Sequence, residues 1–284
     1  MIYDIKPFVK WVGGKRQLID KIKNRMPKKY NNFFEPFVGG GTLLTELQPS
    51  KCYINDANSE LITAFRIIKS NPHKLMKLLD KHENNHNKSP KEYFYEIREM
   101  DRNNNWNKIS EIDKVARFIY LNKACFNGMY RVNSKGFFNV PFNKKNTVNT
   151  YSKVNLINFS KYLNDKDIYI NNGDFEEILI YANKGDFIFF DPPYDLIKKD
   201  TFESYTKDGF GEEGQRRLAR VAHELSNKGC FVMITNHNTP LINELYKDFN
   251  FDVVDAKRMI NSDSSKRKGV ETIIYNYQIK EELL

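Results

Sequence analysis

The sequence has few cysteines and histidines and no pattern that would tie them into a structural site. Cys52, Cys125 and Cys230 are the three cysteines, and they lie far apart in apolar contexts. We therefore expect reduced thiols rather than a disulfide framework. His82 and His86 lie in the polar stretch "KHENNHNKS", which we interpret as a loop without metal-ligand spacing. The sequence thus predicts that no metal is bound.

Long apolar segments are also missing, since no run approaches the roughly 18 residues of a membrane-spanning helix. The stretch "MIYDIKPFVKWVGGK" carries Asp4 and Lys6 where a signal peptide has its apolar region, so we expect a cytoplasmic protein. Acidic residues are outnumbered, with 36 Asp and Glu against 45 Lys and Arg and a net charge of +9. This balance favours a polyanionic partner, meaning nucleic acid or a membrane surface, although many soluble proteins are basic.

Strand-like segments occur near both ends of the chain, and helical patterns occupy the middle. At 284 residues we expect one core with a large insertion, or two lobes. Within "DKVARFIYLNKACF", the residues Val115, Phe118, Ile119 and Asn122 share one helix face. Strand segments are "NNFFEPF", "KCYIND", "DIYINN", "DFIFF", "GCFVMITN", "FDVVDAKRMI" and "VETIIYNYQI". The early strand–helix–strand order predicts an α/β fold with parallel strands.

A glycine-rich turn follows the first strand in "FEPFVGGG". Glycine permits positive φ and lets a ligand approach the backbone. Asp56 ends the second strand, where an acid can accept hydrogen bonds from a ribose diol. The alternative is a plain tight turn with an acid that caps a helix. Together the two features favour a nucleoside-containing cofactor, and the departure from G-x-G-x-x-G disfavours a dinucleotide.

A second glycine turn, "KWVGGK", places Trp11 before it and Lys15 after it. A flat ring and a cation can cover an adenosyl group and hold a carboxylate. An N-terminal arm with a buried tryptophan explains this stretch equally well, so it leaves both interpretations open.

The strand "DFIFF" ends in "DPPY". The prolines stop the sheet ladder and leave Asp191 and Tyr194 at the carboxyl end of the strand, where open α/β sheets bind ligands. A carboxylate and a proline carbonyl can accept the two N–H bonds of an exocyclic base amine, and a tyrosine ring can stack on the base. The alternative is a turn that ends a strand with a solvated acid.

The sequence resembles the Dam-type DNA adenine methyltransferases, and its closest likeness is to GATC-specific modification methylases of restriction systems. The motifs that carry the resemblance are, in this order, "KWVGGK", "EPFVGGG", "INDAN", "GDF" and "DPPY". The resemblance extends from about residue 7 to 278 and includes "FNGMYRVNSKGFFNVPF". It implies a methyltransferase-type, Rossmann-like mixed sheet in an S-adenosylmethionine-binding catalytic domain at 1–60 and 166–284. It also implies a helical target-recognition domain at 61–165.

The resemblance further implies methyl transfer from S-adenosylmethionine to the 6-amino group of adenine in double-stranded DNA, expected at GATC, with the base flipped out of the duplex. The catalytic group is Asp191, Pro192, Pro193 and Tyr194. The cofactor-binding positions are Trp11, Lys15, Phe37, Gly39, Asp56, Asp174, Phe175 and Asp191. The DNA-binding positions are Lys10, Phe126, Asn127, Met129, Arg131, Asn133, Pro141 and Lys144. No membrane contact is expected.

Several of these assignments have alternatives. "YRVNSKGFFNV" is interpreted as a β-hairpin, on which Arg131 could grip a guanine edge, contact phosphate or be solvated. Phe126 could enter the opened duplex or pack in a core. Asn143 and Lys144 stand where relatives often have Gly-Arg, which puts a specific contact there in doubt. Residues 198–210 are interpreted as a mobile lid, and 261–269 as a basic loop that contacts phosphate or is a solvated hairpin tip.

Two rival functions fit the same motifs. A cytosine-amine or RNA-adenine methyltransferase would present its amine to the same DPPY group. A DNA-binding protein with a vestigial cofactor site is the non-catalytic rival, and the intact Asp56, Asp191 and Tyr194 argue against it. A companion restriction endonuclease is possible without a stable complex, and the sequence leaves the oligomeric state open.

Overall fold

The structure is a computed structural model that describes residues 2–196, 210–257 and 268–279. Residues 198–209 of the expected lid at 198–210, and residues 261–267 of the expected basic loop at 261–269, lie outside the described residues. Within the described part, no helix combines the length and the apolar character that crossing a membrane requires.

The strands of the described residues form one seven-stranded mixed sheet with the order β3-β2-β1-β4-β5-β7-β6. Their bounds are β1 Phe33–Glu35, β2 Lys51–Asp56, β3 Asp167–Asn172, β4 Phe187–Phe190, β5 Phe231–His237, β6 Asn250–Lys257 and β7 Lys268–Tyr275. The pairs β1–β2, β1–β4 and β4–β5 are parallel, whereas β5–β7 and β6–β7 are antiparallel. The prediction of a Rossmann-like α/β fold with a mixed sheet is confirmed.

The α-helices fall mainly in the middle of the chain, as the sequence predicts. Their bounds are α1 Ile19–Lys23, α2 Thr42–Leu47, α3 Ser59–Ser70, α4 Pro72–Lys88, α5 Pro90–Glu99, α6 Glu111–Ala124, α7 Lys153–Asp165, α8 Gly211–Asn227 and α9 Pro240–Leu245. Helices α3 to α7 lie between β2 and β3 along the chain. The predicted face of α6 is buried at all four positions, Val115, Phe118, Ile119 and Asn122.

The interpretation of "KHENNHNKS" as a loop is wrong, because α4 continues through it to Lys88. Its two histidines are tolerated in the helix because each contacts a tyrosine hydroxyl. His82 Nδ1 lies 2.8 Å from the Tyr93 hydroxyl, and His86 Nδ1 lies 2.9 Å from the Tyr120 hydroxyl. No cluster of three or more potential metal-binding side chains occurs within the described residues.

The chain divides into two compact units whose bounds differ from the expected domain bounds. The first unit comprises Met1–Gly14, Gly39–Ser50 and Asp56–Gly173, and the second comprises Lys15–Val38, Lys51–Asn55 and Asp174–Leu284. The assignment of separate catalytic and target-recognition domains remains a prediction.

Each unit has its own hydrophobic core. In the second unit, buried residues of β1, β4, β5 and β7 pack with the apolar face of α8, including Phe34, Ile188, Ile234, Ile274 and Leu218. In the first unit, a cluster joins α5 and α6 to the segment that follows α6, including Phe94, Ile97, Tyr120, Phe138 and Val140. Burial of such apolar surface is the main stabilising term for both units.

Candidate active site

The segment after β4 lies where the order of the parallel strands reverses. The chain proceeds from β1 to β2 on one side and from β4 to β5 on the other, which is where open α/β sheets bind ligands. The register of β4 and β5 pairs Phe190 with Ile234, so the next residues, Asp191 and Thr235, are neighbours. Accordingly, the Thr235 hydroxyl donates a 2.8 Å hydrogen bond to Asp191 Oδ1.

A buried cation accompanies the Asp191 carboxylate. Lys15 Nζ lies 2.8 Å from Asp191 Oδ1, and the two side chains are 7% and 20% exposed. Burial raises the pKa of Asp191, while Lys15 and the hydrogen bond from Thr235 oppose that rise. Both contacts converge on Oδ1. Among the described residues Oδ2 has no hydrogen-bond donor, so it can accept one from a ligand.

Tyr194 is held at three points. Its hydroxyl donates a 2.7 Å hydrogen bond to Glu271 Oε2, and its ring meets His237 edge to face at 4.9 Å. Lys15 Nζ lies 4.7 Å from the ring centre. Burial and the nearby carboxylates of Asp191 and Glu271 raise the pKa of Tyr194 well above its ordinary value, so the phenol stays protonated. A fixed, neutral ring of this kind suits stacking on a base.

Two buried amides clamp the turn that contains the prolines. Gln215 Nε2 donates to the Pro193 carbonyl at 2.8 Å, and Asn236 Nδ2 donates to Gln215 Oε1 at 3.0 Å. Asn236 Oδ1 in turn accepts the Asp195 N–H at 2.9 Å. We call these two side chains the Gln215–Asn236 clamp. The Pro193 carbonyl is thereby occupied, whereas no donor among the described residues binds the Pro192 carbonyl.

Three predicted cofactor-binding residues of the second unit, Phe37, Asp174 and Phe175, lie together, and two of them form an aromatic pair. Phe37 and Phe175 stack with their centroids 5.3 Å apart, and Phe210 meets Phe37 edge-on at 5.7 Å. The Arg217 guanidinium lies 4.5 Å from the centre of the Phe175 ring and pairs with the Asp174 carboxylate. Phe175 is 4% exposed and belongs to the hydrophobic core of this unit, whereas Phe37 is partly buried, so Phe37 is the ring of the pair with surface left for a planar base.

In the first unit, the glycine turn and Asp56 contact each other directly. The Gly39 N–H donates to Asp56 Oδ2 at 3.0 Å, and the Asn58 N–H donates to Asp56 Oδ1 at 2.9 Å. Burial raises the pKa of Asp56, and these two backbone bonds oppose the rise. Each carboxylate oxygen keeps a lone pair beyond its backbone donor, so the carboxylate can accept two hydroxyl groups.

Trp11 packs against this glycine turn. Gly39 has φ +50°, and a Cβ there would lie 2.9 Å from Trp11 Cδ1, so both the backbone and the ring require glycine. The indole also stacks on Tyr130, with the ring centres 5.3 Å apart, and meets Phe118 edge to face at 6.2 Å. Trp11 is partly buried, which agrees with a ring that is both packed and accessible to a ligand.

The structure brings Lys10 together with the turn after α6, where several predicted DNA-binding residues lie. Asn122 Nδ2 donates to the carbonyls of Lys10 at 2.8 Å and Gly128 at 2.9 Å, and Asn122 Oδ1 accepts the Lys10 N–H at 2.9 Å. Gly128 has φ +66°, and a Cβ there would lie 2.5 Å from Lys10 Cδ. Phe126 is 51% exposed, so core packing does not explain it, and Asn127 beside it is exposed too. Met129 is partly buried.

The predicted hairpin is confirmed. Val132 and Phe138 form an antiparallel bridge, and the Asn133 N–H donates to the Phe137 carbonyl at 2.9 Å. Asn133 Oδ1 accepts two backbone N–H groups of the turn, so this amide oxygen stabilises the hairpin. Arg131 is exposed, and its Nε donates to Asn139 Oδ1 at 2.7 Å.

The segment after the hairpin keeps two predicted residues at the surface. Pro141 and Lys144 are exposed, and Lys144 has φ +65°. Asn143 supports this conformation, because its side chain donates to the Lys123 carbonyl at 3.2 Å and accepts the Lys145 N–H at 2.9 Å. Asn143 therefore shapes the backbone that carries the Lys144 charge.

Four residues that support the DPPY segment were not identified from the sequence: Thr235, Asn236, Gln215 and Glu271. The run "TNHNT" after a buried strand was an available signal, since polar residues at the carboxyl end of the neighbouring parallel strand face the same ligand. Gln215 and Glu271 lie on α8 and β7, and nothing in their local sequence marks them.

Comparison with known proteins identifies relatives along nearly the whole chain. The model of the D12 class N6 adenine-specific DNA methyltransferase family matches residues 11–260. A Type II methyltransferase, M1.LlaDCHI, of Lactococcus lactis subsp. cremoris is 46% identical over 276 residues, which are 96% of each chain. The Type II methyltransferase M.MjaIII of Methanocaldococcus jannaschii is 39% identical over 96% of this chain and 100% of its own.

A third relative is the DNA adenine methylase of Escherichia coli K12, which is 30% identical over 96% of this chain and 95% of its own. These matches confirm the Dam-type resemblance, and they favour adenine in DNA over the cytosine-amine, RNA-adenine and non-catalytic alternatives. The chain belongs to the D12 class of N6 adenine-specific DNA methyltransferases.

Proposed function

We propose that this DNA adenine methyltransferase takes its methyl group from S-adenosylmethionine and acts at GATC in duplex DNA. The acceptor set after β4 carries the chemical part of the proposal. The Asp191 Oδ2 atom and the Pro192 carbonyl have no donor among the described residues, while Lys15, Thr235 and Gln215 hold the atoms beside them.

Two free acceptors match the two N–H groups of the adenine 6-amino group. The nitrogen lone pair is delocalised into the ring, so the amine is a weak nucleophile. When the Asp191 carboxylate and the Pro192 carbonyl accept hydrogen bonds from its two N–H groups, they fix the nitrogen in place and favour a pyramidal geometry. Tyr194 stacks on the base, a contact worth roughly 1–3 kcal/mol. That contribution offsets part of the few kcal/mol needed to flip the base out.

The residues present suit S-adenosylmethionine, which when bound supplies an electrophilic methyl group on a sulfonium. Asp56 is a partly buried carboxylate with lone pairs left for a ribose diol. Phe37, which is partly buried and stacks on the buried Phe175, offers apolar ring surface for an adenine ring. The Lys15 ammonium supplies a positive charge that would attract the carboxylate of the ligand. Direct transfer then requires alignment rather than a covalent enzyme nucleophile.

GATC as the target is supported by the resemblance to GATC modification methylases and by the exposed Arg131 on its hairpin. A guanidinium can bind O6 and N7 of a guanine at once, which is the commonest specific contact in the major groove. Lys10, Phe126, Asn127 and Met129 lie beside Asn122 and Gly128 and are proposed to contact the opened duplex. The net charge of +9 supports binding to the phosphate backbone.

The experiment follows transfer of a labelled methyl group from S-adenosylmethionine to two short duplexes, one with GATC and one scrambled at those four bases. Label on the GATC adenine alone is the expected result. Equal label on both duplexes would remove the GATC assignment and keep the chemistry. No label on either would overturn the proposal. Asp191→Ala is the control, and it should lose several decades of turnover, each about 1.4 kcal/mol of barrier.

We also propose a role in DNA modification alongside a restriction endonuclease, which the names of the two Type II relatives support. Plasmid from cells that express the chain should resist an endonuclease that cuts unmethylated GATC. Plasmid from cells that express Asp191→Ala should be cut, and cutting of both plasmids would refute this role.

A further inference from the structure

Within the first unit, a closed ring of contacts joins the glycine turn to the start of the Arg131 hairpin. The Gly39 N–H donates a hydrogen bond to Asp56, and the Trp11 ring packs on Gly39. The Tyr130 ring in turn stacks on Trp11. The Tyr130 hydroxyl then donates a 2.7 Å hydrogen bond to Glu60 Oε2 on the first turn of α3.

The ring closes through the start of α3. The Asn58 N–H donates to Asp56 Oδ1 at 2.9 Å, and Asn58 Oδ1 caps the helix by accepting the Leu61 N–H at 3.0 Å. Glu60 therefore sits on a turn that is fixed to the carboxylate proposed to bind the ribose. A displacement of Tyr130 would be transmitted to Asp56 by two routes, through Trp11 and through Glu60.

Glu60, the partner of the Tyr130 hydroxyl, is itself supported by a buried arginine. Its side chain is 29% exposed, and Arg117 Nη1 lies 3.8 Å from its other oxygen. Arg117 is itself 2% exposed and is fixed by Asp101 and by the carbonyls of Ile97 and Arg98. Burial raises the pKa of Glu60, and the bond from Tyr130 and the charge of Arg117 oppose that rise. Glu60 thus has a fixed support on one side and Tyr130 on the other.

Tyr130 immediately precedes Arg131, so its position sets where the hairpin begins. The Tyr130 ring also meets Phe118 edge-on at 5.7 Å and Phe138 at 6.1 Å. Phe138 bridges Val132 across the hairpin. The residues that present Arg131 are therefore in direct contact with the ring that stacks on Trp11.

We propose that Tyr130 and Glu60 are positioning residues that couple DNA binding at the Arg131 hairpin to cofactor binding at Asp56 and Trp11. This inference rests on the proposed function, which assigns those two binding roles. DNA that fixes the hairpin holds Tyr130 against Trp11 and Glu60 and so tightens cofactor binding. Coupling between two binding sites is reciprocal, so cofactor tightens DNA binding by the same factor.

The test measures the Kd of S-adenosylhomocysteine, which lacks the transferable methyl group, by calorimetry with and without a GATC duplex. The wild-type chain should bind at least about fivefold more tightly when DNA is present. Tyr130→Phe keeps the stacked ring and removes only the hydroxyl, so the enhancement should fall towards onefold. The matched control is Tyr151→Phe, which removes an equal 2.7 Å bond to Asp80 elsewhere in the first unit and should keep the wild-type factor.

A second variant distinguishes loss of the Tyr130–Glu60 hydrogen bond from general destabilisation of the fold. Glu60→Gln keeps an acceptor for the Tyr130 hydroxyl, so it should retain part of the enhancement. The double variant Tyr130→Phe/Glu60→Gln should lose no more than Tyr130→Phe alone, because both changes act on one contact. Additive losses, or a wild-type factor in Tyr130→Phe, would overturn the proposal.

Measurements on the wild-type chain distinguish failure of the coupling from failure of the proposed function. Suppose the unaltered chain binds S-adenosylhomocysteine and methylates GATC, but its Kd for S-adenosylhomocysteine is the same with and without DNA. The coupling is then refuted, and the proposed function stands. If the unaltered chain neither binds the ligand nor transfers a methyl group, the proposed function itself fails.

Discussion

The ammonium of Lys15 lies 2.8 Å from Asp191 Oδ1, so the acid at the end of β4 has a buried counter-ion of its own. The same ammonium lies 4.7 Å from the centre of the Tyr194 ring. One cation therefore contacts both the first and the last residue of the DPPY segment. Its charge opposes the rise in the pKa of Asp191 that burial causes.

Lys15→Met should move the acid limb of the kcat/KM profile to higher pH. Without the cation, the ionised form of Asp191 is less favoured, so the pKa of Asp191 rises. As pH falls, its carboxylate is therefore protonated, and lost as a hydrogen-bond acceptor, at a higher pH than in the wild type. The measurement is kcat/KM for methyl transfer across the pH range. Arg16→Met, which removes the neighbouring exposed cation, is the control and should leave the limb in place. An unshifted limb in Lys15→Met would show that Asp191 does not titrate in this range.

Tyr194 should matter through its ring more than through its hydroxyl. Tyr194→Phe keeps the stacking surface and loses the bond to Glu271, so we expect a small fall in kcat/KM. Tyr194→Ala removes the stack, which should cost about 1–3 kcal/mol more. Equal losses in the two variants would assign the effect to the hydroxyl instead.

Removal of the Gln215–Asn236 clamp should lower both stability and turnover. Gln215→Ala leaves the buried Asn236 amide and the Pro193 carbonyl without their partner, at a cost of about 1–3 kcal/mol in the free energy of unfolding. Urea denaturation and kcat measure the two effects. Gln48→Ala is the control, since it removes a glutamine that bonds the backbone of Tyr3 and should spare kcat. A normal kcat in Gln215→Ala would show that the Gln215–Asn236 clamp does not contribute to turnover.

Arg131→Ala should relax discrimination at one base pair by about 1–3 kcal/mol. The measurement compares kcat/KM on GATC and on the sites that differ from it by one base pair. Lys135→Ala on the same hairpin removes an exposed charge and should weaken all sites equally. If Arg131→Ala also weakens all sites equally, Arg131 is a phosphate contact.

Acid should destabilise the fold through His82. This ring stacks on Tyr120 at 5.0 Å, and burial lowers its pKa from 6.5 to about 4. Between those values the unfolded chain binds a proton that the folded chain does not, so the free energy of unfolding falls as pH falls. His82→Gln should flatten this slope in denaturant titrations at several pH values. A difference from wild type that does not vary with pH would contradict the assignment.

The sequence was sufficient for the features that follow from local pattern. The strand segments along the chain, the helix face of α6 and the hairpin around residues 133–136 were predicted, since each depends on periodicity or turn residues close in the chain. The α4 extension through His82 and His86 was missed, because its polar residues are stabilised by tyrosines on α5 and α6. Contacts of that kind cannot be inferred from the local composition.

The same distinction applies to the candidate site. Asp191 and Tyr194 were identified because a broken apolar strand marks them. Glu271 and Gln215 were not, because they reach the DPPY segment from β7 and α8 through pairing and packing distant in sequence. Lys15 was identified as a cofactor residue, and its contact with Asp191 emerged only from the fold.

The burial of the cysteines has a practical consequence for spectroscopy. Cys52, Cys125 and Cys230 are buried thiols, and burial raises the pKa of Cys125 to about 12 and that of Cys230 to about 11. A thiol that stays protonated and shielded reacts slowly with maleimide or iodoacetamide dyes. A cysteine introduced at the exposed Ser134 would then take up a fluorophore alone. The unaltered background thus serves for single-molecule observation of the hairpin as it meets DNA.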